Sequence, residues 1–290
     1  MQKTWKAPAK TNLTLKVLGK RDDGFHELEM FMVPLSLHDV LHFEKSDHYS
    51  LHCDLEGVPT DERNLVTMAV RSFEKRTGRP CLWKITLEKN VPHGAGMGGG
   101  SSDAATTLLA LNTLEETNIP LDDLAAMSAE FGSDVPFFIY QNYCMVRGRG
   151  EIVEPVNPRE TEGVSNLSGT PILLLKPSFG VSTPDAFKQC LNAEAVHGVD
   201  YSAQKMPWGE IFNDLEKPVF YKYRFLAEMK VWLLAQPEVK AAMMSGSGST
   251  MLAFLRDGAD TDIEADSEAL KTRALAELDP TLWAELTHIL

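Results

Sequence analysis

Pro92-His93-Gly94-Ala95-Gly96-Met97-Gly98-Gly99-Gly100-Ser101-Ser102-Asp103-Ala104 is the stretch on which the reading of the fold turns. Five of the seven residues from Gly94 to Gly100 are glycine. Glycine inside a helix costs about 1 kcal/mol relative to alanine, so the run reads as a loop that needs positive φ or close approach of another group. Upstream, Trp83, Ile85 and Leu87 alternate with Lys84, Thr86 and Glu88, the pattern of a strand with one buried face. Downstream, Ala104, Ala105, Leu108, Leu111 and Leu114 recur at helical spacing, with Ser101 or Ser102 expected as N-cap. A strand, a glycine loop and a helix N-terminus aim backbone N–H groups and a positive dipole end at one point, which is an anion site and most often a phosphate site.

Two phosphate-loop templates fit in part. Gly94 to Gly99 satisfies G-x-G-x-x-G, but that fingerprint follows a strand buried on both faces, and no acidic residue ends a second strand about 20 residues on. Gly94 to Ser101 nearly satisfies G-x-x-x-x-G-K-[ST], with Gly100 where the lysine belongs. A flexible linker is the plainer reading, but a linker is not ordinarily closed by a helix start.

The wider composition narrows the function classes. The 290 residues carry a formal net charge of −13, which argues against nucleic-acid or anionic-membrane partners. An anionic substrate then needs a local basic pocket. Cys53, Cys81, Cys144 and Cys190 form no C-x-x-C pair and read as reduced thiols in a cytoplasmic protein. No apolar leader is seen after Met1, and no apolar run approaches the roughly 18 residues that span a bilayer.

Along the chain, Trp5 to Val17 reads as a strand, a proline-marked break and a second strand, with Lys10 and Asn12 at the hand-over. Taken alone, Lys10 is a solvated edge-strand charge. Lys20 to Gly24 is a polar turn leading to Phe25 and His26, residues that more often pack or face solvent than bind ligands. A helix follows Asn64 and ends near Gly78. Another spans about 102–116, and a third runs from Pro120 to a stop at Gly132. Asp134 precedes the apolar run Phe137 to Tyr140 and reads by default as a cap or turn residue. The proline- and glycine-rich segment 155–169 marks a boundary between domains at 1–155 and 170–290. Beyond it come a strand at 171–177, a turn into a helix at Thr183 to Phe187 and a helix around 225–234. A second glycine-serine loop over 243–250 follows, a plain hairpin turn if taken alone, and then an acidic helical tail from Asp260.

Three separated pieces then line up: Pro8-Ala9-Lys10-Thr11-Asn12-Leu13, the loop from Pro92 to Asp103, and Ser245-Gly246-Ser247-Gly248-Ser249. Their order and spacing resemble the three motifs of the galactokinase, homoserine kinase, mevalonate kinase and phosphomevalonate kinase (GHMP) superfamily over nearly the whole chain. Gly24-Phe25-His26-Glu27-Leu28 and Gly132-Ser133-Asp134-Val135-Pro136-Phe137-Phe138 bring the resemblance closest to the branch that acts on a cytidine-diphosphate sugar alcohol.

The resemblance implies an α+β fold of two domains, ribosomal protein S5 domain 2-like at the N-terminus and ferredoxin-like at the C-terminus, with the active site in the cleft between them. It implies a kinase that moves the γ-phosphoryl of ATP to a hydroxyl of that sugar alcohol, with Mg²⁺ bridging the phosphates and Ser101 or Ser102 as its protein ligand. Lys10 and Asp134 match the family's catalytic pair. Pro92, His93, Gly94, Ala95, Gly96, Met97, Gly98, Gly99, Gly100, Ser101 and Ser102 match its ATP loop, with Gly246, Ser247 and Gly248 near the phosphates. Asn12, Phe25, His26, Thr183 and Phe187 match the acceptor side, where Phe25 and Phe187 would sandwich the cytosine and His26 would bond its edge. Tyrosine is common where Phe25 stands. The resemblance leaves a monomer or a homodimer open. The competing readings are a sister kinase for a smaller alcohol such as homoserine or mevalonate, and a non-catalytic binding protein on the same fold. A small alcohol has no need of stacking rings, and a mere binder has no need of both Lys10 and Asp134.

Overall fold

The computed structural model describes residues 2–157, 164–188, 190–258 and 261–290. Part of the boundary segment 155–169, and Asp260 at the head of the acidic tail, lie outside them. In chain order the first half contains β1 (Lys3–Lys20), β2 (His26–Lys45), β3 (Ser50–Cys53), α1 (Leu65–Thr77), β4 (Trp83–Glu88), α2 (Gly99–Leu114), α3 (Leu121–Ser128), α4 (Val135–Tyr140), β5 (Cys144–Gly148) and β6 (Ile152–Pro155). The second half contains β7 (Pro171–Lys176), α5 (Thr183–Phe187), β8 (Gln204–Met206), β9 (Gly209–Asn213), α6 (Glu216–Lys222), α7 (Arg224–Leu234), β10 (Val239–Met244), β11 (Met251–Leu255), α8 (Ile263–Glu277) and β12 (Trp283–His288).

Two sheets carry the molecule. The first runs β3-β4-β2-β1-β9-β8, with β5 and β6 continuing from the other half of β2. The second is antiparallel, in the order β10-β11-β7-β12. Ile172, Leu174, Ala241, Met243, Leu252 and Phe254 on one face of the second sheet join Ala9, Leu13, Val33 and Leu35 of the first in one apolar core. The alternate residues Leu173, Leu175, Met244, Ala253 and Leu255 belong to the larger core, with Leu226, Met229 and Leu233 of α7 and Leu270 and Ala274 of α8. Cover on both faces is why these strands read as continuous apolar runs.

Three expectations change. The proline-marked break is not a break: β1 is continuous, and Pro8 and Asn12 sit at register shifts against β2. The helix after the glycine loop starts at Gly99, with Gly98 at its N-cap in the left-handed region (φ 69°) and no capping side chain. Gly99 and Gly100 therefore lie in its first turn, and a Cβ on Gly99 would stand 3.1 Å from the Val91 side chain. The tail from Asp260 is not only an outer helix, because β12 forms an edge of the second sheet and pairs with β7 from Trp283 to His288. The helix from Asn64 to Gly78 stands as read: Asn64 Oδ1 accepts the Val66 N–H at 2.8 Å, and Gly78 closes the C-terminus at φ 68°.

Candidate active site

A cleft of about 1230 Å³ runs along the glycine loop. Lys10, Asn12, Phe25, His26, Asp134, Thr183, Phe187, Gly246, Ser247 and Gly248 all line it, as do Pro92 to Gly96 and Gly98 to Ser101. Met97 and Ser102 of the expected ATP loop turn away. Met97 is buried in the core between the sheets, and its carbonyl accepts the Lys10 N–H at 3.0 Å. Ser102 is fully buried, with no partner for its hydroxyl among the described residues.

The two glycine loops meet backbone to backbone. A Cβ on Gly96 would stand 2.3 Å from the Ser245 carbonyl oxygen, and one on Gly246 would stand 3.0 Å from the Gly96 carbonyl oxygen. Only glycine permits that approach. The Ser245 hydroxyl lies 3.1 Å from that of Thr11 and donates to the Gly96 carbonyl at 3.3 Å. No side chain caps α2, a 16-residue helix, an arrangement whose first N–H groups can take an anion.

Lys10 is buried on β1, and its ammonium donates to Asn12 Oδ1 at 2.9 Å. It lies 3.5 Å from the carboxylate of Asp134, a residue of the first half of the chain, like Lys10. Asp134 occupies the N-cap position of α4 without forming a capping bond, so the default role does not consume its carboxylate. A buried ammonium beside a part-exposed carboxylate can orient a hydroxyl and take its proton.

On the acceptor side, the rings of His26 and Phe187 stack at 5.5 Å and 23°. Phe25 is half exposed and lies under the Arg149 guanidinium, 4.8 Å from the ring centre. Phe25 and Phe187 thus each have a planar neighbour, Arg149 and His26 respectively. The Thr183 hydroxyl meets that of Ser247 at 3.0 Å.

Several supporting residues carry no motif or spacing that marks them in the sequence. Asn213, at the end of β9, donates to the carbonyls of Met244 and Gly246 at 2.8 and 2.7 Å and so holds the second glycine loop. Glu216 accepts the Met244 N–H at 2.9 Å and pairs with buried Lys230 at 2.5 Å. Burial pushes the Glu216 carboxyl up, against the pull of Lys230. At the other end of the cleft, Lys89 is held between Asp39 and Asp103. Asp39 also accepts the N–H groups of Asn90 and Val91, which fixes the corner that enters the glycine loop. Burial raises the Asp103 carboxyl to about 7, with Lys89 opposing and Asp39 adding to the rise. Burial works against the Lys89 charge, but the two carboxylates outweigh it and hold its pKa above the ordinary value. No local periodicity marks these residues, since each acts on a segment distant in sequence.

Among the described residues no cluster of three or more His, Cys, Asp or Glu could hold a metal ion, and no helix is long and apolar enough to cross a membrane.

The family of GHMP kinases N terminal domains matches residues 64–142. The chain is 36% identical over 271 residues to a 4-diphosphocytidyl-2-C-methyl-D-erythritol kinase of Thermodesulfovibrio yellowstonii, covering 89% of this chain and 91% of that one. A crystal structure of 4-(cytidine 5'-diphospho)-2C-methyl-D-erythritol kinase superposes with a TM-score of 0.77 at 32% identity, covering 99% of each chain. The mevalonate kinase of Methanococcus jannaschii shares the fold at a TM-score of 0.66 and 10% identity, covering 100% of this chain and 99% of that one. With its two glycine loops in contact and this likeness running nearly end to end, the chain belongs to the 4-diphosphocytidyl-2-C-methyl-D-erythritol kinase family of GHMP kinases.

Proposed function

We propose that the protein transfers the γ-phosphoryl group of ATP to the 2-hydroxyl of 4-diphosphocytidyl-2-C-methyl-D-erythritol, a step toward isoprenoid precursors. It is a phosphotransferase with an alcohol as acceptor. The observation that carries the reading is the meeting of Lys10 and Asp134 at 3.5 Å in the cleft lined by both glycine loops. Family membership names the acceptor.

The roles follow from chemistry. The acceptor hydroxyl ionises far above neutral pH, so Asp134 takes its proton as it attacks. Lys10 keeps hydroxyl and carboxylate in register and offsets charge growing on the transferred oxygens. The open amides of α2 and the loop from Gly94 to Gly100 hold the phosphates, in place of the lysine that this loop lacks. Mg²⁺ suits such a site, since it keeps most of its waters and takes phosphate oxygens with one or two protein oxygens. Ser101, which lines the cleft, would be its protein ligand in preference to buried Ser102. When bound, the ion would screen the phosphate charge.

The division into an ATP-binding domain over 1–155 and a second domain over 170–290 is part of the same proposal. A sheet in each half supports it, with β8 and β9 crossing to the first. A cytoplasmic location is supported by the four cysteines, all free.

A kinase for a small alcohol is the alternative, and the rings of Phe25, His26 and Phe187 in the cleft speak against it. The test is ADP release with the cytidyl acceptor, homoserine and mevalonate in parallel. Turnover of the cytidyl acceptor at least about 100-fold above the others supports the proposal, and equal turnover of homoserine overturns it.

A further inference from the structure

Six cationic side chains line the cleft: Lys10, Lys20, Arg63, Lys89, Arg149 and Lys188. Four are committed to carboxylates. Lys10 faces Asp134, Arg63 holds Asp61, Lys89 is shared by Asp39 and Asp103, and Lys188 holds Asp185. Lys20 and Arg149 make no ion pair among the described residues, and of the two it is the Arg149 guanidinium that has a seat, on the Phe25 ring at 4.8 Å. Asp23, which feels its charge, is already engaged by Arg21 and by the Phe25 N–H.

The loop that carries Arg149 is built to place it there. Gly148 and Gly150 flank it at φ 72° and 115°, and Glu151 accepts the Arg149 backbone N–H at 2.6 Å. A Cβ on Gly150 would stand 3.6 Å from Ser133 Cβ and 3.9 Å from Asp134 Oδ1. The backbone of Arg149 is therefore anchored beside the carboxylate assigned to the hydroxyl, while its charge reaches a ring on the base side. In a cytidyl sugar alcohol, the group that joins base to reacting alcohol through the ribose is a diphosphate. In a chain of net charge −13, that group has few uncommitted cations to meet. A guanidinium on an exposed ring is weakly held, whereas a two-point bond to phosphate oxygens is among the stronger polar contacts.

We propose that Arg149 is the residue that selects for the acceptor's diphosphate, leaving the Phe25 ring to bind it. The inference rests on the acceptor assigned above. The test is binding of cytidine and CDP by titration calorimetry to the full chain and to Arg149→Met and Arg149→Lys, with steady-state kinetics on the whole acceptor. The native chain should bind CDP about tenfold or more tighter than cytidine. Arg149→Met should lose that gap while keeping its cytidine affinity, and its KM for the acceptor should rise about tenfold with KM for ATP unchanged. Arg149→Lys should recover part of the loss, as a point charge without the planar fork. Equal weakening of cytidine and CDP in Arg149→Met would reduce Arg149 to a cover for the ring and overturn the inference, leaving the acceptor assignment intact. A native chain that turns over the acceptor but shows no preference for CDP over cytidine would also overturn it. A native chain that binds neither ligand and ignores the acceptor would remove the assignment itself, and the role of Arg149 with it.

Discussion

The ammonium of Lys10 stands 3.5 Å from the carboxylate of Asp134, one fixed in the long strand β1 and the other in the turn before α4. The lysine side chain is 6% exposed and the aspartate 39%, so the rigid partner is the cation and the carboxylate faces open space. Asp134→Asn keeps the shape and removes the proton acceptor. Its kcat is expected to fall at least about 100-fold with ATP affinity largely kept, measured by ADP release and nucleotide titration. A near-normal rate would return Asp134 to a plain turn residue.

Contact between the two glycine loops makes one substitution far worse than its neighbour. Gly96→Ala drives a methyl group into the Ser245 carbonyl and also carries the strain of φ 75°, so the two together should cost about 2–5 kcal/mol in urea unfolding, with a loss of ATP binding. Gly94→Ala meets nothing within 4 Å and carries only the strain of φ 63°, about 1–2 kcal/mol, with milder effects on ATP binding.

Buried Lys230 exists to balance Glu216, which in turn holds the Met244 N–H at the root of the second loop. Lys230→Ala leaves a carboxyl without its counter-charge and should destabilise the chain by about 3–5 kcal/mol. Thermal unfolding checks the magnitude. A KM for ATP raised in the folded variant would show that the strain reaches the nucleotide through the second glycine loop.

Asp103 gives a signed pH effect. Its folded pKa, about 7, lies above the unfolded value, so the native chain retains a proton that the unfolded chain releases. The stability linked to this carboxyl is full below the unfolded pKa and is lost as pH rises through about 7. Asp103→Asn holds the neutral form at every pH. Its melting temperature should exceed that of the native chain at pH 8, with the difference shrinking toward pH 5.

Much of this was legible locally. Asn64, Gly78 and the alternation from Trp83 to Glu88 each state their structure within a few residues, and Lys10 and Asp134 sit in motifs that can be matched. The start of α2 escapes local pattern because its cap is a glycine conformation, Gly98 at φ 69°, and not a side chain. β8 and β9 are short and largely polar, and β9 owes its place to β1, through the pairs Thr14 with Phe212 and Leu15 with Asn213. Asn213, Glu216 and Arg149 carry no local signal for the same reason. Each acts on a partner that only the folded chain brings near.

The parallel pairing of β9 with β1 also bears on how this chain can be rearranged. Residues 209–213 come from the second half yet complete the sheet of the first, and Asn213 reaches back from there to brace a loop of its own half. A hybrid enzyme joined at 155–170 would bring two foreign strands, β9 and its partner β8, into the first sheet along with its foreign half. Swaps between relatives should therefore keep β1 and β9 from the same parent, so that the unit of inheritance is this strand couple and not either stretch of sequence.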